Sequence, residues 1–270
     1  MEVSNGVLRL RTAPEFGARI TELTDLRSGR NWIVPGDLKG SAAEGASYIE
    51  ERPSGWDECF PTVAACEMHA WGGGLRDHGA LWGRAWTCNA KSSGIVATYE
   101  DPRFVFRRSL RLAGEYVILR YSLTERQSSP LPWLWSQHCL LACRPGERIV
   151  ASGIGPWHDS AGKEVSPGPV LPASAGGAGK FFAPVEGRAS VAFAGDGGLI
   201  EFTWDAASAP WVGLWFSYGG WPLDNPLYQI GIEPTSAPFN PLSEAVKRGG
   251  ADWLETGETR HWQCRIRIII

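Results

Sequence analysis

Histidine is scarce in this chain, five residues in 270, and only one short segment argues for helix. No stretch approaches eighteen consecutive apolar residues, so a membrane-spanning helix is not expected. The opening "MEVSNGVLRL" lacks the basic-then-apolar order of a secretory leader. Neither sign of charge dominates: the net charge of −3 gives no electrostatic reason to expect nucleic acid or an anionic membrane as a partner. Six cysteines (Cys59, Cys66, Cys88, Cys139, Cys143, Cys264) include no CxxC pair, and no His/Cys cluster stands at zinc spacing. The expectation is a cytoplasmic chain with reduced thiols and no metal or cofactor. Missing too are a GxSxG elbow, a GxxxxGK[ST] loop, a GxGxxG opening a helix and an HExxH pair, and with them several common chemistries.

What is present argues for strands. Hydrophobic residues make up 43% and charged residues 20%, enough for a large core, while Gly 33 and Pro 19 are spread along the chain as turn formers. Val7 to Arg11 and Ala18 to Leu26 alternate around the turn "PEFG". From Val96 to Leu123, "IVATYE", "FVFRRSLRL" and "YVILRYSLTE" are separated by "DPR" and "AGE", the pattern of a meander. In the last run, "HWQCRIRIII", Trp262, Cys264, Ile266 and Ile268 oppose His261, Gln263, Arg265 and Arg267. The helical exception is "NPLSEAVKRG", with Asn240 as N-cap, Pro241 at the first helical position and Gly249 as the stop. Residues 152–180, rich in Gly, Pro, Ser and Ala, read as one long loop. The predicted architecture is all-β, a single domain over 1–270, built from large packed antiparallel sheets.

Candidate chemistry is sparse enough to name. In "YQIGIEPTSAPFN", Tyr228, Ile230 and Ile232 alternate with Gln229, Gly231 and Glu233, and Pro234 is expected to end the strand. Glu233 is then either a solvated carboxylate at a strand end or a catalytic one held on a rigid element. His78 sits in the turn-like "DHG", His138 within a strand pattern, His158 in the glycine-rich loop and His261 on a surface face. In "GWDECFPTV", Trp56, Asp57 and Glu58 precede an apolar segment, and adjacent strand residues point to opposite faces, so Asp57 and Glu58 cannot serve one site. Fourteen tryptophans suit a broad β core, and a few could stack on a sugar.

Taken in order, "FGARITELTDLRSGRNWI", "GWDECFPT", "DHGALWGRAW", "WSQHCLLA", "IGIEPTSAP" and "GETRHWQCRIRI" resemble the aldose 1-epimerase (galactose mutarotase) superfamily over roughly residues 5–270. The resemblance implies a β-supersandwich whose concave sheet binds a sugar, acting on a small-molecule substrate as a monomer or homodimer. It implies that Glu233 and His138 are the catalytic base and acid and that His78 binds the sugar. Arg76, Asp57, Trp56 and Gln229 are the further candidates for sugar contact, with Trp82 and Trp56 as candidate stacking faces. The chain departs from the family's pattern in three places: the arginine motif before the first histidine, the aspartate that grips sugar hydroxyls, and the run after His138. A phosphorylated or acidic sugar, with Arg76 and Arg84 on the concave face, and a non-catalytic sugar-binding protein are the alternatives.

Overall fold

A computed structural model describes residues 1–36, 38, 47–50 and 53–270. Alternating apolar residues give most strands one buried face, while Trp56–Cys59, Ser136–Leu141 and Tyr228–Thr235 are buried on both. One antiparallel layer runs, in spatial order, through Glu2–Ser4, Leu8–Ala13, Arg19–Asp25, Trp56–Cys59, Ser136–Leu141, Tyr228–Thr235, Trp211–Tyr218 and the first part of Gly177–Gly195. The other runs through Thr87–Lys91, Gly94–Asp101, Phe104–Ala113, Tyr116–Glu125, Thr259–Ile269, Gly198–Asp205, the second part of Gly177–Gly195 and Arg148–Ile154. The long strand joins them, because Gly177 to Pro184 pair with Trp211–Tyr218 while Arg188 to Gly195 pair with Gly198–Asp205. The expected packed sheets are therefore two faces of one continuous ladder curled on itself.

The inward faces meet in an aromatic core. Val117, Leu119, Tyr121 and Leu123 are buried on one side of their strand, and Trp262, Cys264, Ile266 and Ile268 on one side of theirs. Tyr121 stacks on Trp262 with ring centroids 5.3 Å apart, and Trp56 reaches Phe202 across the layers at 6.3 Å. The helix covers Leu242–Lys247, with Pro241 rather than Asn240 at its N-cap. Pro241 has extended backbone there, so the helix starts one residue later than the pattern suggests.

Two expectations are corrected. Residues 152–180 are not one loop: they hold the short pair Trp157–His158 and Glu164–Val165, a 3-10 turn at Ala173–Ala175, and the start of the Gly177–Gly195 strand. Its opening "GAGK" conceals the alternation that would have marked a strand. Pro234 does not end its strand, which runs to Thr235 with Pro234 opposite Val212. Proline's fixed φ suits extended backbone, and the cost falls on one neighbour only. Pairing with Ser136–Leu141 has Ser136↔Thr235 and Cys139↔Ile232 but no pair at Pro234 or Glu233.

Candidate active site

Three adjacent strands build the floor of the site. His138 lies directly across the ladder from Asp57, so both side chains rise from the same face. The Ser136↔Thr235 and Cys139↔Ile232 pairs bracket His138 and Glu233 on the other side. His138 Nε2 comes to 3.9 Å from Glu233 Oε1, too far for a hydrogen bond. His78 arrives from a turn: its φ of 58° is left-handed, and Gly79 follows at 72°. A Cβ at Gly79 would stand 2.1 Å from the Phe60 carbonyl oxygen, so this close approach requires glycine. His78 N–H donates to the Val63 carbonyl at 2.7 Å, which fixes the turn against the floor. The rings of His78 and His138 then meet edge to face, centroids 4.8 Å apart.

Glu233 is polar but not solvated, at 1% exposure, which corrects the expectation of a wet strand end. Its Oε2 accepts from Lys180 Nζ at 2.6 Å and from Ser136 Oγ at 3.3 Å. Lys180 stands on the long strand, two strands away, and crosses over Gly213 to reach the carboxylate. The intervening position is glycine, and a Cβ there would come within 3.1 Å of Lys180 Cε. Oε1 of Glu233 has no hydrogen-bond partner among the described residues and faces His138.

Above this floor lies a cavity of about 370 Å³. His78, His138, Glu233 and Lys180 line it together with Gln229, Asn240 and Tyr48, and Trp215 and Trp221 give it an apolar wall. The two tryptophans pack edge to face at 5.3 Å. Besides Glu233 Oε1, Gln229 Nε2 and Asn240 Oδ1 are buried without a partner among the described residues. Buried polar groups left unpaired are costly, so several of them around one cavity mark a place built for a polar ligand.

The remaining sequence candidates lie elsewhere. Asp57 is 1% exposed and does not line the cavity; its Oδ2 accepts from Arg19 at 2.8 Å and from the Tyr48 hydroxyl at 3.1 Å. Arg76 donates to the Gly79 carbonyl at 2.7 Å and to the Trp82 carbonyl, and its guanidinium lies over the Trp82 ring. It braces the turn that carries His78. Trp56 and Trp82 are buried, the latter donating its indole N–H to the Asp77 carbonyl at 2.7 Å. Sequence reading missed Lys180, Tyr48, Trp215 and Trp221. The first was hidden at the end of a glycine-rich stretch and the second stands in "GASYIEE", which carries no periodic signal.

Electrostatics distinguish the two sides of the site. Burial first, then coupling to His78, Lys180 and Arg19, pushes the His138 pKa well below 6.5. Burial, reinforced by Asp57, pushes the Tyr48 phenol well above 10, so it keeps its proton. His78 Nδ1 is 3.0 Å from Asp77 Oδ2, without hydrogen-bond alignment. Among the described residues Cys59, His78 and His138 offer one ligating atom each within 4.8 Å of one another. Tetrahedral zinc with bonds of about 2.0–2.3 Å needs them roughly 3.5 Å apart. The Cys59 thiol is also held protonated by burial, so the group as it stands is looser than a metal site.

No family model matches the chain, and no curated protein does. Solved structures do. The Slr1438 protein of Synechocystis sp. PCC 6803 aligns with a TM-score of 0.73 at 16% identity, over 99% of this chain and 94% of that one. A galactose mutarotase related enzyme from Lactobacillus acidophilus aligns at 0.73 and 13%, over 100% and 97%. A protein proposed as an aldose 1-epimerase in Escherichia coli K12 aligns at 0.72 and 18%, over 99% and 98%. The chain thus has the galactose mutarotase-like fold along its full length.

Proposed function

We propose that this protein is an aldose 1-epimerase, opening and reclosing a sugar hemiacetal to interconvert its anomers. The observation that carries this reading is the free Oε1 of Glu233 facing Nε2 of His138 across 3.9 Å at the floor of a polar cavity. Mutarotation needs one proton removed from the anomeric hydroxyl and one delivered to the ring oxygen, and both oxygens are on the same carbon. Glu233 Oε1 takes the first proton, and protonated His138 gives the second from Nε2. The ring opens to the aldehyde, the C1–C2 bond rotates, and closure with the roles reversed yields the other anomer. General acid and general base catalysis each contribute about 10² to 10⁴-fold, which suits a reaction that already proceeds in water. Lys180 and Ser136 hold the carboxylate so that one oxygen alone is available. Gln229 and Asn240 supply hydrogen bonds to sugar hydroxyls, and Trp215 or Trp221 faces the apolar side of the ring.

Lys180 also favours a second reading, a sugar bearing a carboxylate or phosphate. One of its N–H donors is on Glu233, and its ammonium lines the cavity. Of the basic residues expected on this face, Arg76 is turned to backbone carbonyls instead.

The test is NMR exchange spectroscopy of neutral aldoses, uronic acids and sugar phosphates with the wild-type protein. Accelerated exchange for one class is expected and identifies the substrate. Exchange at the uncatalysed rate for every sugar would overturn the reading.

A further inference from the structure

Nothing in the acid–base scheme explains why His138 presents Nε2, rather than a mixture of tautomers, to Glu233. The answer lies behind the ring. His138 Nδ1 is 3.0 Å from the Tyr48 hydroxyl, and the same hydroxyl is 3.1 Å from Asp57 Oδ2. Asp57 is in turn ion-paired to Arg19 at 2.8 Å, and all four side chains are buried. A phenol has one proton and a carboxylate can only accept, so the Tyr48 O–H donates to Asp57. The Tyr48 oxygen is then left to accept, and its donor is His138 Nδ1–H.

We infer that Tyr48 is a positioning residue: with Asp57 and Arg19 it forms a relay that locks His138 in the Nδ1–H tautomer. The only proton His138 gains or loses is then on Nε2, the atom that faces Glu233. Arg19 matters because it donates to the same Asp57 oxygen as Tyr48, so that oxygen faces donors only. Were Asp57 a neutral donor, Tyr48 would be free to donate to Nδ1 and the ring would carry its resting proton on the wrong nitrogen. Tyr48 is held for this task by a second contact, its ring stacking on His78 at 3.8 Å between centroids and 10° between planes. One aromatic residue thereby sets the tautomer of one site histidine and the plane of the other.

The inference deepens the epimerase reading and rests on it for its kinetic arm only. The direct readout is the ¹⁵N shift pattern of the imidazoles near neutral pH, tractable with five histidines. Wild type is expected to show His138 as the Nδ1–H tautomer. Tyr48→Phe keeps the stacking ring but removes the acceptor, and should leave His138 as a mixture of tautomers. Asp57→Leu removes the acceptor of the Tyr48 proton, frees the phenol to donate to Nδ1, and should move the ring proton to Nε2. If Asp57→Leu does not fold, Tyr48→Phe with wild type still decides the question. In the kinetic arm Tyr48→Phe lowers kcat about 10-fold or more, up to the about 10²-fold that misplacing a catalytic group costs, with KM little changed. A wild-type His138 protonated on Nε2, or a Tyr48→Phe spectrum identical to wild type, would overturn the relay whether or not any sugar is turned over. Altered tautomers with no anomer exchange in wild type would instead overturn the epimerase reading and leave the relay standing.

Discussion

Asp57 and Glu58 are neighbours on one strand, both buried and both paired with an arginine, yet they belong to different regions of the molecule. Glu58 faces the core between the sheets. Arg108 donates to its Oε1 at 3.0 Å, Tyr121 to the same oxygen at 3.1 Å, and the Trp135 indole to Oε2 at 2.8 Å. Asp57 faces the site, where its Oδ1 has no hydrogen-bond partner among the described residues and its other oxygen takes Arg19 and Tyr48. Both oxygens of Glu58 are therefore used, although the Gln137 amide across the ladder from it is buried without a partner among the described residues. On the site side, polar atoms of Glu233, Gln229 and Asn240, which line the cavity, have no partner among the described residues. On the proposed reading, the two faces of one strand serve stability and chemistry separately.

Variants on the two faces should separate those properties. His138→Asn is expected to cost about 10² to 10⁴-fold in anomer exchange while thermal unfolding stays close to wild type. Glu58→Ala should do the reverse. It leaves Arg108 as an uncompensated buried charge and destabilises by about 3–5 kcal/mol, while the rate per folded molecule is retained. A Glu58 variant that lost turnover without losing stability would erase the distinction between the faces.

The faces should also respond to pH with opposite signs. Burial outweighs Arg108 and raises the Glu58 pKa from 4.5 to about 7. Between those values the native state holds a proton that the unfolded chain has released, so this group's contribution to stability is present at acid pH and lost as pH rises to about 7. His138 has its pKa lowered below 6.5, so its contribution is present above 6.5 and lost as pH falls through the window beneath. Denaturant titrations across pH should show Glu58→Gln removing the first slope and His138→Asn the second. The lowered pKa also places the protonated acid at low pH, so kcat/KM should fall with rising pH through a value below 6.5.

A smaller effect is expected at Lys180. Lys180→Met should raise KM for a uronic acid or sugar phosphate more than for a neutral aldose, by up to about fivefold, the worth of one partly exposed charge contact. Equal changes for both sugar classes would confine Lys180 to its role beside Glu233.

Legibility in the sequence followed the same division. Alternation in "YVILRYSLTE" and "HWQCRIRIII" marked buried faces that the structure keeps, and the opposite faces of Asp57 and Glu58 followed from strand geometry alone. Glu233, His138 and His78 carried motif-level signals, and the fold brings them together around one cavity. Lys180 and Tyr48 did not, because their roles arise from crossing over Gly213 and from approaching the far side of a histidine ring. Such contacts depend on which strands become neighbours, and no local pattern encodes that. Pro234 was misread because a proline within a run is ordinarily a stop, and here only one of the two flanking ladders lost its bonds.

The most direct test compares wild type with Glu233→Gln in NMR anomer exchange, with sugar affinity measured on both. The account predicts that exchange falls to near the uncatalysed rate while binding of the same sugar persists, because Gln229, Asn240 and His78 remain in place. Exchange as fast as wild type in Glu233→Gln would contradict it and remove the free carboxylate oxygen from the chemistry.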